Sequence, residues 1–481
     1  MKRVTLKNLL ALIFITLLLT SCGGGGSTIA GIGGTGITTS GTITGFGSIF
    51  VNGVEYDLTG AGITVDGVPA SDADLTLGMV VKIEGTIDGN GLTGTANSVS
   101  YNAELQGPIS SAITADADNI TKSFNVLGRT VVVTVSDTTF ENVSFATLAT
   151  NDAVEISGYL DQNGILQATR IKKITSTLVI FSGIVSNYNN MSQFEIVHGS
   201  ATISVSYGGS VPISNGDNVR IEGMLQTMMP TISVIASDVQ AKQAVFASDE
   251  DNASLEGIIT DYVSNSNFKI DGQIVDASSA SFSPSTLGLT NGLRVEAEGV
   301  VVSGTMVATS IERRGGNIKI FTTVDSTNVP SNIVSMAFPD LQALPVMIDA
   351  TTSMKDEDQE LRPFTISDIN SSDYLEINAY LNNGNLVASS IVRKKANEYE
   401  EQILRAPLTG VDTGMMTVEI QGIHFAYDPS RTSFENNDSE VQGAANISNF
   451  LSDLPSHIGD IIQVKDMQPL DGIVDEVDLK N

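Results

Sequence analysis

Tryptophan is absent from this chain, cysteine occurs once, histidine three times, and Lys and Arg together number 25 against 55 Asp and Glu. Each shortage removes a class of function. One thiol forms no internal disulfide and builds no zinc or iron–sulfur site that needs several thiolates. A formal charge of −30 repels a phosphate backbone, whose affinity for proteins comes from Lys and Arg, so no nucleic-acid partner is expected. Aromatic residues make up 6% of the chain, which leaves little for stacking platforms. What remains is 481 residues, 41% of them hydrophobic, with 45 Gly, enough for a row of small domains.

The N-terminus carries the most specific signal. Lys2, Arg3 and Lys7 form a basic start, and the apolar run from Leu9 to Leu19 has the length of a secretory h-region rather than of a membrane span. It ends in Leu19-Thr20-Ser21-Cys22, which resembles the bacterial lipobox, and the only Cys of the chain falls at the cleavage position. The resemblance implies a signal peptide over 1–21 and a lipid on Cys22. Loss of the signal moves the charge from −30 to −33. A Gly-rich tether over 22–40 follows, with the composition of flexible coil. By the sorting rule of lipoproteins in double-membrane bacteria, the absence of Asp after Cys22 implies outer-membrane delivery, facing either the periplasm or the surface.

The rest of the chain is one small unit written six times. A turn residue followed seven positions later by Gly recurs at 78–85 (GMVVKIEG), 151–158 (NDAVEISG), 216–223 (GDNVRIEG) and 292–299 (GLRVEAEG), with degraded copies at 372–379 (SDYLEINA) and 459–466 (GDIIQVKD). Apolar and mostly charged residues alternate within it, the mark of a half-buried strand. A second anchor, Ala followed three residues later by Ile or Val, starts at Ala96, Ala168, Ala236, Ala308 and Ala388. Asp88-Gly89-Asn90-Gly91, Asp161-Gln162-Asn163-Gly164 and Asn382-Asn383-Gly384 have hairpin-turn composition. Earlier strands end near Gly128 and Gly272, a third lies near Phe140, Phe282 and Phe434, and about one helical turn fits before the Gly-to-Gly strand.

Each copy thus reads as five short strands with a small helical insert. The expected fold is all-β, a tandem array of about six small five-stranded barrels, OB-fold-like, over 41–103, 105–174, 181–241, 255–314, 318–396 and 407–481. An open meander is the competing architecture. The elements around Phe46–Gly53, LTLGMVVKIEG and GILQATRIKK resemble the bacterial DUF5666 family, best in copies one, two and four. Copies five and six depart from it, with Ala379 and Asp466 in place of the anchor Gly. That resemblance implies an envelope lipoprotein or secreted protein and assigns no activity.

Candidate chemistry is sparse. His198, His424 and His457 lie near no nucleophile or metalloprotease motif and do not recur between copies, so no catalytic residue and no cofactor is expected. Hard-oxygen calcium ligands are the alternative for an acidic chain, with Asp88, Asn90, Asp116 and Asp118 as weak candidates, beside the clusters at 249–252 and 356–358. None has EF-hand spacing, and the bland reading is solvated turns. Phe124, Phe140, Phe194 and Phe268 read as core, whereas Tyr56, Tyr101, Tyr159, Tyr207 and Tyr262 are candidates for a ligand face. Lys172-Lys173, Arg313-Arg314 and Arg393-Lys394-Lys395 read as exposed strand ends, with a shared docking surface as the alternative. The expected function is a non-enzymatic, lipid-anchored envelope protein, an extended row of barrels that binds an envelope protein or glycan or serves as structure. An enzyme with a site between copies five and six, and a calcium-stabilised rod, are the opposing readings.

Overall fold

A computed structural model describes residues 36–480 other than 46–47, 90, 92, 117–120, 135–136, 189–191, 210–211, 229–230, 243, 247, 284–286, 317, 340–341, 350–351, 357, 360, 362–363, 383, 396–400, 437–438 and 468–469. Cys22, Asn90 and Asp118 lie outside the described residues, as does the signal segment. Among the described residues no helix is long and apolar enough to cross a membrane.

The alternation read from the sequence is realised as closed barrels rather than open meanders. In barrel 1 the first strand, Gly36–Gly45, pairs antiparallel with Ile49–Val51, which pairs with Val54–Asp57. That third strand runs parallel to the last, Thr93–Tyr101, which pairs antiparallel with Val80–Ile87, and Val80–Ile87 returns to Gly36–Gly45. The order 1-2-3-5-4-1 with strands three and five parallel is the OB-fold arrangement, and it leaves no open edge within the closed part. The same order recurs in barrel 2 (first strand Leu105–Pro108), barrel 3 (Leu178–Ser186), barrel 4 (Glu250–Ser264), barrel 5 (Ile318–Asn328) and barrel 6 (Glu401–Asp412). Six barrels close around buried Ile, Val, Leu and Phe, and Phe124, Phe140, Phe194 and Phe268 are all in the core as expected.

The recurring Gly has a steric reason. The fourth strand bulges at Gly85, Gly158, Gly223 and Gly299, and a Cβ there would sit 2.1–2.4 Å from a carbonyl oxygen of the fifth strand. Barrel 5 keeps the bulge with Ala379. The helical insert is a single 3-10 turn in barrels 1 and 5 (Asp72–Asp74, Ile366–Asp368) and a helix, Ala444–Asp453, in barrel 6.

Two expectations are corrected here. The tether does not reach Ser40: residues from Gly36 belong to the first strand, and Thr38, Thr39 and Ser40 are buried. Small hydroxyl residues read as coil in isolation, but they fit this strand because its free edge is covered by another barrel. Nor do the barrels form an extended row. The N-terminal half of each first strand pairs on one edge with its own fourth strand and on the other with the first strand of a second barrel. Barrel 1 joins barrel 4 in parallel through Thr38–Ser40 and Ala253–Leu255, out of chain order. Barrels 2 and 3 join antiparallel at Gln106 and Ile180, and barrels 5 and 6 at 319–321 and 403–405.

The pairs are tied together by polar contacts. Barrel 2 meets barrel 1 through Thr169 Oγ1, which donates to the Gly78 carbonyl at 2.6 Å, and through Ser157 Oγ, which accepts from Val80 N at 2.8 Å. It meets barrel 4 through the Tyr159 hydroxyl and Glu256, and barrel 6 where Asp460 accepts from Phe145 N. The charged face of the fourth strand is therefore largely not a solvent face: Ser157 and Glu296 are buried, and Arg220 reaches Asp66 of barrel 1 at 2.6 Å.

Candidate functional site

The cations of this acidic chain gather where barrels 1, 4, 5 and 6 meet. A cleft of about 680 Å³ is lined there by Arg294, Arg313, Arg314, Lys319, Lys394, Arg405 and Lys480, against only Glu55, Glu256 and Glu376 among the acids. A second cavity of about 430 Å³ lies between barrels 2, 4 and 5, and shares Arg294, Arg313, Gly315 and Gly316 with the first. The segment Arg313–Gly316, which connects barrel 4 to barrel 5, is thus the wall between them. It is fixed by Gly316 N, which donates to Asp137 of barrel 2 at 2.8 Å. Gly316 has φ +91°, and a Cβ there would lie 2.1 Å from the Ala379 carbonyl, so only glycine fits.

The floor of the larger cleft is the continuous sheet made by joining barrels 5 and 6. Ser390, Asn378, Lys319, Arg405 and Gln463 are successive cross-strand neighbours and face the same side. Lys319 and Arg405 are directly opposite each other, an arrangement of like charges that destabilises a sheet. Glu376 offsets part of this, bridging to Lys319 at 2.9 Å and to Lys394 at 3.2 Å. Arg405 donates across the cleft to the Thr44 carbonyl of barrel 1 at 3.2 Å.

The barrel 4 wall holds the converse arrangement. Glu256, Glu296 and Glu312 are cross-strand neighbours in a row, and the first two are buried. Arg294 donates to Glu256 at 2.8 Å and to Thr42 of barrel 1, while Arg314 takes Glu296 in a two-point contact and reaches Glu312 at 3.2 Å. Burial pushes the Glu296 carboxyl up to about 7, with Arg314 pulling against it and Glu298 and Glu312 adding to it. Burial works against the charge on Arg294, yet Glu256 and Tyr159 beside it hold its guanidinium above the ordinary value. Arg313 differs from both. Its guanidinium donates to the backbone carbonyls of Arg294 and Arg314 and stacks on the Tyr380 ring at 5.5 Å, and its buried Nε has no hydrogen-bond partner among the described residues.

The structure places the sequence candidates elsewhere and apart from one another. Asp88 closes a hairpin of barrel 1, accepting from Thr93 Oγ1 at 2.6 Å, and Asp116 closes one in barrel 2, accepting from Thr121 N. Asp356 is taken by Arg393 in two hydrogen bonds of 2.8 and 2.6 Å. Among the described residues, Glu435, Glu476 and Asp478 of barrel 6 are close enough to share a cation, but Lys480 already pairs with Asp478 and Lys465 lies on the same face. His198 is buried, donates Nδ1–H to the Ser182 carbonyl at 2.7 Å, and is pushed down to about 3 by burial and Arg129. The backbone of His424 is clasped by Gln342 of barrel 5, while His457 bonds Asp460 at 2.8 Å beside barrel 2, so the recorded partners of the two lie in different barrels.

Two readings of side chains are corrected. Tyr56, Tyr101 and Tyr159 are fully buried rather than set on a ligand face, because their hydroxyls satisfy Thr39, Glu155 and Thr42 inside the protein. The basic strand ends are not simply exposed: Arg393 is buried, and Arg313, Arg314 and Lys394 line the cleft. The recurrence of these strand-end cations was the one sequence signal that touched the site. That barrel 1 would pair with barrel 4 and close the cleft had no local signal.

Fold and cleft together define an all-β protein built from tandem five-stranded barrels. The chain belongs to the family described as Domain of unknown function (DUF5666), whose model matches residues 36–100, 106–172, 256–312 and 326–392. These segments fall on barrels 1, 2, 4 and 5, so barrel 5 is matched despite Ala379, while barrel 3 has the same strand order outside them. No curated protein matches the chain.

Proposed function

We propose that this chain is a non-enzymatic, lipid-anchored protein of the bacterial envelope that holds a ligand in the cleft where barrels 1, 4, 5 and 6 meet. The observation that carries the reading is the gathering of seven of the chain's 25 basic residues around one cavity, with Lys319 and Arg405 set directly opposite each other. Folding alone gives no return for like charges in that register. A volume of about 680 Å³ is in the range of small-ligand sites. The three histidines support a non-enzymatic role, since the rings of His198 and His457 and the backbone of His424 serve packing and barrel contacts.

Anchorage rests on the basic start, the apolar run and Cys22, and outer-membrane delivery on the residue that follows. Palmitate labelling of the expressed protein should mark the wild type and not Cys22→Ala, and Cys22→Ala should leave the membrane fraction. For the cleft, a photo-crosslinking residue at Gln463 is compared with one at Asp88 on the exposed hairpin of barrel 1 in whole envelopes. The reading expects adducts specific to Gln463. Adducts from Asp88 alone, or equally from both, would sink it.

A further inference from the structure

Building on that reading of the cleft, we infer that its ligand is an acidic oligosaccharide, bound through its carboxylates by Arg313, Lys319 and Arg405 and through its hydroxyls by Asn378, Ser390 and Gln463. Among the described residues the hydrogen bonds of Arg313 go to carbonyls rather than carboxylates, and its guanidinium rests on Tyr380 while the residue lines both cavities, which is the environment of a cation that retains attraction for an added anion. The floor extends the argument. From Ser390 to Gln463 the row crosses five strands, a strip of about 20 Å at the usual strand spacing. Its third and fourth positions, Lys319 and Arg405, are cationic and the others are amide and hydroxyl.

That strip is a sheet face, with its backbone groups already paired, so recognition runs through side chains. A peptide adding a strand needs a free edge, which this face does not offer. A polynucleotide meets the repulsion of the −30 chain around the cleft. A short chain of hydroxyls with a carboxylate at intervals matches both kinds of position. Apolar contact is confined to a few side chains such as Phe50, Leu77 and Ile403, consistent with a polar guest.

The test titrates the full chain, purified in detergent, with trigalacturonate, maltotriose and inorganic phosphate by calorimetry. Trigalacturonate should bind, and binding should weaken as salt rises from about 50 mM to about 500 mM. Maltotriose, of the same length without carboxylates, should bind about tenfold more weakly or less, as should trigalacturonate to Arg313→Met and Lys319→Met. Arg313→Lys should recover part of the loss, which separates lost charge from a misfolded junction, and Arg431→Gln, at the exposed pair with Asp471, should bind like wild type. Equal binding of maltotriose would overturn the acidic requirement. Phosphate binding as tight as trigalacturonate would overturn the saccharide. Failure of all three probes, with Gln463 still giving specific adducts in envelopes, would remove this ligand class and leave the cleft as the binding site.

Discussion

Arg393 offers the sharpest test of how these barrels are held. Its side chain is 2% exposed and that of Asp356 is fully buried, so the pair has been taken almost wholly out of water. Arg393 donates Nε and a terminal nitrogen to the two oxygens of Asp356, and further to Asp373 at 3.1 Å and the Asp368 carbonyl at 3.0 Å. Breaking a buried pair from one side costs about 3–5 kcal/mol, because the remaining charge has neither water nor partner. Here Asp356 would keep the backbone N–H groups of Asp358, Gln359 and Leu361 at 3.0–3.1 Å, which points to the lower end. Loss of the Arg393 contact with the Phe364 ring adds about 0.5–1 kcal/mol. Arg393→Met should therefore lower the stability of barrel 5 by about 3–4 kcal/mol, and Asp356→Asn by a similar amount. The double substitution should cost well under the sum, with a coupling of about 2 kcal/mol or more. Urea unfolding read by hydrogen exchange over residues 353–394 measures all three. Additive losses would refute the argument, since they would mean that neither charge depends on the other. The pair also sets a pH dependence. The Arg393 hydrogen bonds hold the Asp356 carboxyl well below the carboxylate range against the opposing effect of burial, so its stabilisation is present at neutral pH and is lost as pH falls through that depressed value.

Three further outcomes follow from residues already placed. Burial, with Asp475 and Asp471 nearby, pushes Asp466 up from 3.8 to about 6, so its penalty builds as pH rises from 3.8 to that value and is full above it; Asp466→Asn should stabilise barrel 6 by about 1–3 kcal/mol near pH 7.5 and by little near pH 4, read by thermal melts. A Cβ at Gly299 would lie 2.1 Å from the Val307 carbonyl; Gly299→Ala should destabilise barrel 4 by about 1–3 kcal/mol in denaturant titrations, and an unchanged midpoint would show that the bulge relaxes freely. Asp460 raises His457 above its ordinary value, so the stabilisation from the charged His457 is present below pH about 6.5 and is lost as pH rises through the raised value; protection of the Phe145 amide, which donates to Asp460, should fall over that range in wild type and stay level in His457→Gln.

The barrels were legible in the sequence because their determinants are local. Period-two alternation around Val81, Val154, Val219 and Val295 specifies a strand with one buried face, and the Gly that ends each pattern marks a close approach to a carbonyl of the fifth strand. The hairpins at Asp88 and Asp161 show the turn hydrogen bonds that Asn and Gly composition implies. The other face of the same strands was not legible. Glu155, Arg220, Glu296 and Glu376 look like solvated positions, and nothing in the local pattern distinguishes a charged group in water from one that meets Arg170, Asp66, Arg314 or Lys319 respectively. That difference is set by which barrels adjoin, and the pairing of barrel 1 with barrel 4 joins strands more than two hundred residues apart. Hydroxyl-rich residues such as Thr38 and Ser40 misled for the same reason.

The cleft follows from that pairing rather than from any one barrel. Lys319 and Arg405 lie in the N-terminal halves of the first strands of barrels 5 and 6, Arg313 ends the last strand of barrel 4 with Arg314 directly after it, and Lys394 and Lys480 end the last strands of barrels 5 and 6. First strands join the barrels in pairs and last strands lead into the connections, so both sets of cations converge where barrels 5 and 6 are joined edge to edge beside the end of barrel 4. In an isolated barrel the same residues would be scattered over a rim, each screened by water and worth little to a ligand. Brought together under the roof of barrel 1, where Thr44 accepts from Arg405 and Thr42 from Arg294, they share one partly enclosed volume in which each strengthens the field of the others. A barrel 5–6 fragment would therefore keep the row from Ser390 to Gln463 but lose Arg313 and the roof. It should bind an anion far more weakly than the whole chain, and the repeated domains act here as parts of one site rather than as six copies of it.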